Sequence, residues 1–165
     1  MKTFDDKDKV LFEEDSVQAS ANLLESKTSM LADLLEEKLE EAFHQETATL
    51  ALNEIAKIVS EHSAVDLSYA ARRLPISERI VLYENLNGIL DKVDFLINAD
   101  NVTRVAVFRR ISDEESKEVI EHMPPDEAVS LLESISERRY RRVLELLTPQ
   151  KATQIREINK HPRNN

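Results

Sequence analysis

Residues 111–133 read ISDEESKEVIEHMPPDEAVSLLE and hold two copies of one repeating unit. Ile111 and Met123 are apolar anchors 12 residues apart. Each is followed by a cap or turn residue, Ser112 or Pro124, and then by acids. Eight and nine residues past each anchor stands an apolar doublet, Val119-Ile120 and Leu131-Leu132. Ser112 through Glu115 has the form of a capping box, in which the serine accepts from the backbone and the glutamate reaches back. Pro124-Pro125 places proline where a helix start has no hydrogen bond to lose, and Asp126-Glu127 places acids where the helix dipole favours them. A unit of this length has room for a helix of roughly two to three turns and a short connection.

Outward from this stretch the register persists. Anchors recur at Leu74, Leu86, Ala99, Ile135 and Leu147, with one step of 13 residues. Doublets recur at Leu82-Tyr83, Phe95-Leu96, Val107-Phe108 and Val143-Leu144. Thr148-Pro149 repeats the cap and proline. Val102–Phe108 is the nearest approach to a strand pattern, but its place in the register assigns it to a helix. Two units form a helical hairpin, and stacked hairpins form a superhelix. The expected fold is all-α: a right-handed superhelix of short stacked helices, preceded by one or two longer N-terminal helices. Each short helix is too small to stand alone and depends on its neighbours.

The N-terminal third reads differently. Residues 1–16 are charged and aperiodic and are expected to fray. Residues 17–43 form an amphipathic helix with Leu24, Leu31, Leu35 and Leu39 on one face, widened by Leu23, Met30 and Leu34. Lys38 and Gln45 interrupt the heptad, so packing of this face on the domain is expected rather than a long coiled coil. A second helix spans about 47–60. The expected division is 1–45 for the extension and helix, 46–158 for the superhelical domain and 159–165 for a tail.

Composition narrows the function. The net charge is −10, of which residues 1–61 carry −9. Residues 113–133 hold eight acids against Lys117, and Arg138, Arg139, Arg141 and Arg142 follow directly. An acidic chain is poorly suited to nucleic acid, which requires surplus cations, and no nucleic-acid partner is expected. The single glycine, Gly88, excludes the glycine-rich loops that cradle phosphates. Cysteine is absent, so there is no disulfide, thiolate nucleophile or zinc–thiolate site. His44, His62, His122 and His161 show no metal-ligand spacing, and no serine sits in a nucleophile elbow. The chain is not expected to be an enzyme. Its arginine run reads as a solvated face, with Tyr140 toward the core. No apolar run is long enough to span a bilayer.

The acidic starts of two successive helices are the candidate site. Asp113, Glu114 and Glu115 open one, and Asp126 and Glu127 open the next. Stacking is expected to bring both sets to one rim. Magnesium prefers hard oxygen ligands, keeps several waters and needs only one or two carboxylates. The same acids also satisfy the helix dipole without any ion.

The region resembles the cytosolic N-terminal domain of MgtE-type magnesium transporters. The resemblance rests on the residues from His62 to Asp66-Leu67, on Arg73-Leu74-Pro75, on Ile111 through Glu133, and on Leu147-Thr148-Pro149. The family's version runs His-Pro-x-Asp-Leu, then repeated Leu-Pro-Pro-Glu-x-Ala-x-x-Leu-Leu units. Ser63 and Ala64 depart from that opening, and residues 86–110 match poorly. The resemblance implies a regulatory domain that senses intracellular Mg2+ through acidic faces shared with CBS domains and thereby gates a pore. It carries Asp126 and Glu127 over as ion ligands and aligns a further family acid with Ser130. The implied partners are CBS domains of the same protein, a membrane pore domain and a second subunit. The implied location is the cytoplasmic side of the inner membrane, with this soluble piece ending about where CBS domains begin. The competing expectation is a protein-interaction scaffold like the superhelix of the flagellar switch protein FliG, without ion sensing.

Overall fold

A computed structural model describes residues 6–159, with side-chain surroundings from residue 16 onward except at residue 28. Residues 1–5 and 160–165, and so nearly all of the expected tail, lie outside the described residues. Ten helices follow one another among the described residues, with no strand. They are α1 (Asp6–Phe43), α2 (Ala48–Glu61), α3 (Ala64–Ala71), α4 (Ile76–Glu84), α5 (Ile89–Asn98), α6 (Asn101–Arg110), α7 (Asp113–Glu121), α8 (Pro125–Leu132), α9 (Glu137–Leu146) and α10 (Pro149–Asn159).

Local chemistry sets these boundaries. Side-chain oxygens of Thr47, Ser63, Asp100, Ser112 and Ser136 each accept from the backbone N–H three residues on, satisfying a donor the helix leaves unpaired. Thr148 does the same for Lys151 N at 3.3 Å. Pro75 and Pro124 precede α4 and α8 without a side-chain cap. Gly88 precedes α5 with φ +90°, a left-handed conformation that glycine adopts without a Cβ penalty.

The 12-residue register is the packing register. Every doublet residue from Leu82-Tyr83 to Val143-Leu144 is buried. The anchors Leu74, Leu86, Ala99, Met123 and Leu147 are buried too, while Ile111 and Ile135 are half-buried against the same core. Helices stack on those two places ahead: α3 on α5, α5 on α7, α7 on α9, α4 on α6 and α8 on α10. Consecutive helices therefore alternate between layers, and the doublets fill the space between them. Tyr83 and Phe95 meet there with ring centroids 6.1 Å apart.

The N-terminal third departs from expectation in two ways. Helix α1 starts at Asp6, so the charged stretch from there to Ser16 is helical. Among the described side chains of α1, burial on the domain falls in its last third, where Ala32, Leu35, Leu39 and Ala42 are buried against α2 and α3. Leu24 and Leu31, expected on that same buried face, are 65% and 61% exposed. The reason is geometric. A helix of 38 residues is about 57 Å long, far longer than the short helices beside it.

Candidate functional site

The five candidate carboxylates sit at two helix starts. Asp113 lies 3.4 Å from Arg139 Nε and, through its other oxygen, 3.3 Å from Arg142 Nε. Glu115 accepts from the Tyr83 hydroxyl at 2.8 Å and from Lys92 Nζ at 3.3 Å. Burial, the bond to Glu115 and that carboxylate's charge together hold the Tyr83 hydroxyl well above the usual tyrosine range. Glu115 is thus turned onto α4 and α5 rather than back onto its own helix. The capping box is only half made: Ser112 Oγ accepts from Glu115 N at 3.1 Å, and the returning bond is replaced. Glu127 lies 3.5 Å from Arg104 Nη2. Glu114 and Asp126 are exposed, and the ion pairs found among the described residues include neither.

The two sets of acids do not converge on one cage. Among the described residues no group of three Asp, Glu or His side chains is placed to hold an ion. Helix α8 begins where α7 ends, so the acids at the two starts are separated by roughly the length of α7, about 13 Å along its axis. What remains is a pair of separate, solvated carboxylates, Glu114 and Asp126, with Glu127 next to the latter. Isolated carboxylates of this kind can each offer Mg2+ an oxygen ligand, with retained waters filling most of the ion's remaining positions. Ser130, aligned by resemblance with a further family acid, lies 3.5 Å from Arg104 Nη1. That position contributes no carboxylate here.

A second set of residues escaped the sequence reading. Arg79, in the first turn of α4, donates to the carbonyls of Arg72 and Leu74 at the end of α3, and to Thr103 Oγ1 at the start of α6. Arg104, in the first turn of α6, donates to Leu96 O and Ile97 O at the end of α5. Arg139, in the first turn of α9, donates to Phe108 O and Ile111 O at the end of α6 and to Ser116 Oγ in α7. Lys151 of α10 reaches Met123 O after α7. Each cation covers carbonyls that a helix end leaves unpaired. Asp100, Glu127 and Asp113 stand beside Arg79, Arg104 and Arg139 respectively. Arg139 is therefore no part of a solvated basic face, since its side chain is only 14% exposed. The signal was present in the sequence: a cation in a first turn has the wrong sign for the helix dipole and needs another reason to be there.

These features define an all-α domain of stacked helical hairpins with basic latches between helices and acids at the helix starts. The family model of the MgtE intracellular N domain matches residues 62–164, and the chain belongs to that family. Its fold is also that of a crystal structure described as the soluble part of a magnesium transporter, with TM-score 0.59 and 18% identity over 82% of this chain. The chain spans 50% of the length of that structure. Among curated proteins none matches the sequence significantly. No helix among the described residues is long and apolar enough to cross a membrane.

Proposed function

We propose that this chain is the Mg2+-responsive regulatory domain of a magnesium transporter, acting on the cytoplasmic side of the membrane and not as an enzyme. The observation that carries the reading is the family match over residues 62–164. The geometry supports it with Asp126 and Glu114 as the exposed carboxylates in reach of a facing surface, while Glu127, which the resemblance also carries over, lies against Arg104. In this reading CBS domains of the same protein supply the other half of each ion site, and the whole assembles as a dimer around a membrane pore. Mg2+ between the faces offsets carboxylate repulsion and favours the closed arrangement. Loss of the ion lets the faces separate, which is a population shift driven by differential binding. Asp113 and Glu115 serve the same face indirectly by holding α7 against α9, α4 and α5.

Asp126→Asn tests the assignment in a transporter carrying this domain. It removes one exposed carboxylate and breaks no ion pair. Closure by Mg2+ should require a several-fold higher concentration, with expression unchanged. Unaltered Mg2+ inhibition would rule Asp126 out as a ligand. The scaffold reading, which resembles the flagellar switch protein, is favoured by one observation: Asp113, Glu115 and Glu127 are all engaged by cations or a hydroxyl of the same chain.

A further inference from the structure

Helix α1 carries a second seam, distinct from the face it packs on the domain. Leu23, Lys27, Met30, Leu34, Glu37 and Glu41 follow one another at steps of four, three, four, three and four, the spacing of a helix-pairing seam. All six are exposed, Leu23, Met30 and Leu34 by 57%, 62% and 53%. The buried face of the same helix is a different one, formed by Ala32, Leu35, Leu39 and Ala42. Toward its C-terminal end the seam borders a groove between α1 and α3, with Leu34 and Lys38 on one wall and His62, Asp66 and Tyr69 on the other.

We propose that two copies of this chain pair antiparallel through this seam of α1. In that pairing Met30 faces Leu34 of the second copy, and Leu34 faces its Met30. Lys27 then faces Glu37 of the second copy, and by the two-fold symmetry its Lys27 faces Glu37 here. Leu23 lies against the aliphatic stem of Glu41 of the second copy, beside the α1–α3 groove. The charges select this orientation. A parallel pair would set Lys27 against Lys27 and Glu37 against Glu37, and like charges in a seam are destabilising. The antiparallel pair converts both into opposite-charge contacts and keeps the two domains at opposite ends of the helix pair. The contact strip is short, so the dimer is reversible rather than obligate. Helix α1 lies outside the residues matched by the family, so this interface belongs to the N-terminal extension and stands independently of the ion-sensing reading.

Sedimentation of the full 165-residue chain at high micromolar concentration should give a dimer that dissociates on dilution. Lys27→Glu should give a monomer with unchanged helicity and thermal unfolding, and the double variant Lys27→Glu with Glu37→Lys should restore the dimer. Because the chain has no cysteine, introduced thiols read the orientation. An equimolar mixture of Leu23→Cys and Glu41→Cys should cross-link between the two variants, while Leu23→Cys alone should not. A wild-type monomer overturns the proposal, whether or not it binds lipid vesicles. So does a Lys27→Glu dimer, or efficient cross-linking of Leu23→Cys to itself.

Discussion

A guanidinium in the first turn of a helix is repelled by the helix dipole, yet Arg79, Arg104 and Arg139 all stand there. Each is compensated by carbonyls at the end of an earlier helix and by a carboxylate alongside. Hydrogen bonds from charged groups contribute about 1.5–3 kcal/mol each. Arg139→Ala should therefore cost about 2–4 kcal/mol in chemical denaturation, whereas Arg138→Ala should change stability by less than about 0.5 kcal/mol. Equal effects would mean that the arginine run is a solvated face after all. Two carboxylates give pH signatures of opposite sign. Burial and the charge of Glu40 hold the Glu78 carboxyl above the ordinary value of 4.5, with His44 pulling the other way. The folded state binds that proton more tightly, so ionised Glu78 weakens the fold above its raised pKa. Glu78→Gln should stabilise at pH 7, and the gain should disappear as pH falls below about 4.5. Burial would raise the Asp100 carboxyl, but hydrogen bonds from Thr103 and the charges of Arg79 and Arg72 outweigh it and hold it below 3.8. Its contribution is present above 3.8 and is lost as pH falls through the depressed pKa. Asp100→Asn should accordingly destabilise at pH 7 and cost progressively less in acid.

At the scale of the element, the sequence was most legible where one face of a helix has one neighbour. The doublets and anchors mark that face, and all six doublets are buried where the register places them. Leu131→Ala removes a side chain buried between α8 and its neighbours and should cost about 2–5 kcal/mol, read by thermal or urea unfolding. A negligible loss would mean the register is misassigned. The Ser112 cap was equally legible, since a hydroxyl and the amide three residues on are a local pair. What the sequence did not show depends on distant partners. Glu115 leaves its capping box because Tyr83 and Lys92 are within reach, and they stand on other helices. In α1, apolar residues cover so wide an arc that hydrophobicity alone did not separate Leu35 and Leu39, which the domain buries, from Leu24 and Leu31, which it does not.

At the scale of the whole molecule, the two-layer stack decides what the acids can do. Helix starts alternate along the chain, so the carboxylates of Asp113–Glu115 and Asp126–Glu127 are kept apart by the length of a helix instead of meeting at one rim. Asp113, Glu115 and Glu127 hold helices together, and the more exposed Glu114 and Asp126 are left facing outward. The candidate site was legible as a set of residues but not as a division of labour, because neither the arginine latches nor the layer order could be read from spacing. In the proposed reading, a domain built this way supplies half of an ion site and leaves the other half to a facing surface. The most direct test of that account is a residue-resolved NMR titration of this chain with MgCl2, against NaCl at matched ionic strength. The account predicts weak, Mg2+-specific shifts centred on Glu114 and Asp126, with Asp113, Glu115 and Glu127 scarcely moving. Identical responses to the two salts at Glu114 and Asp126 would contradict it.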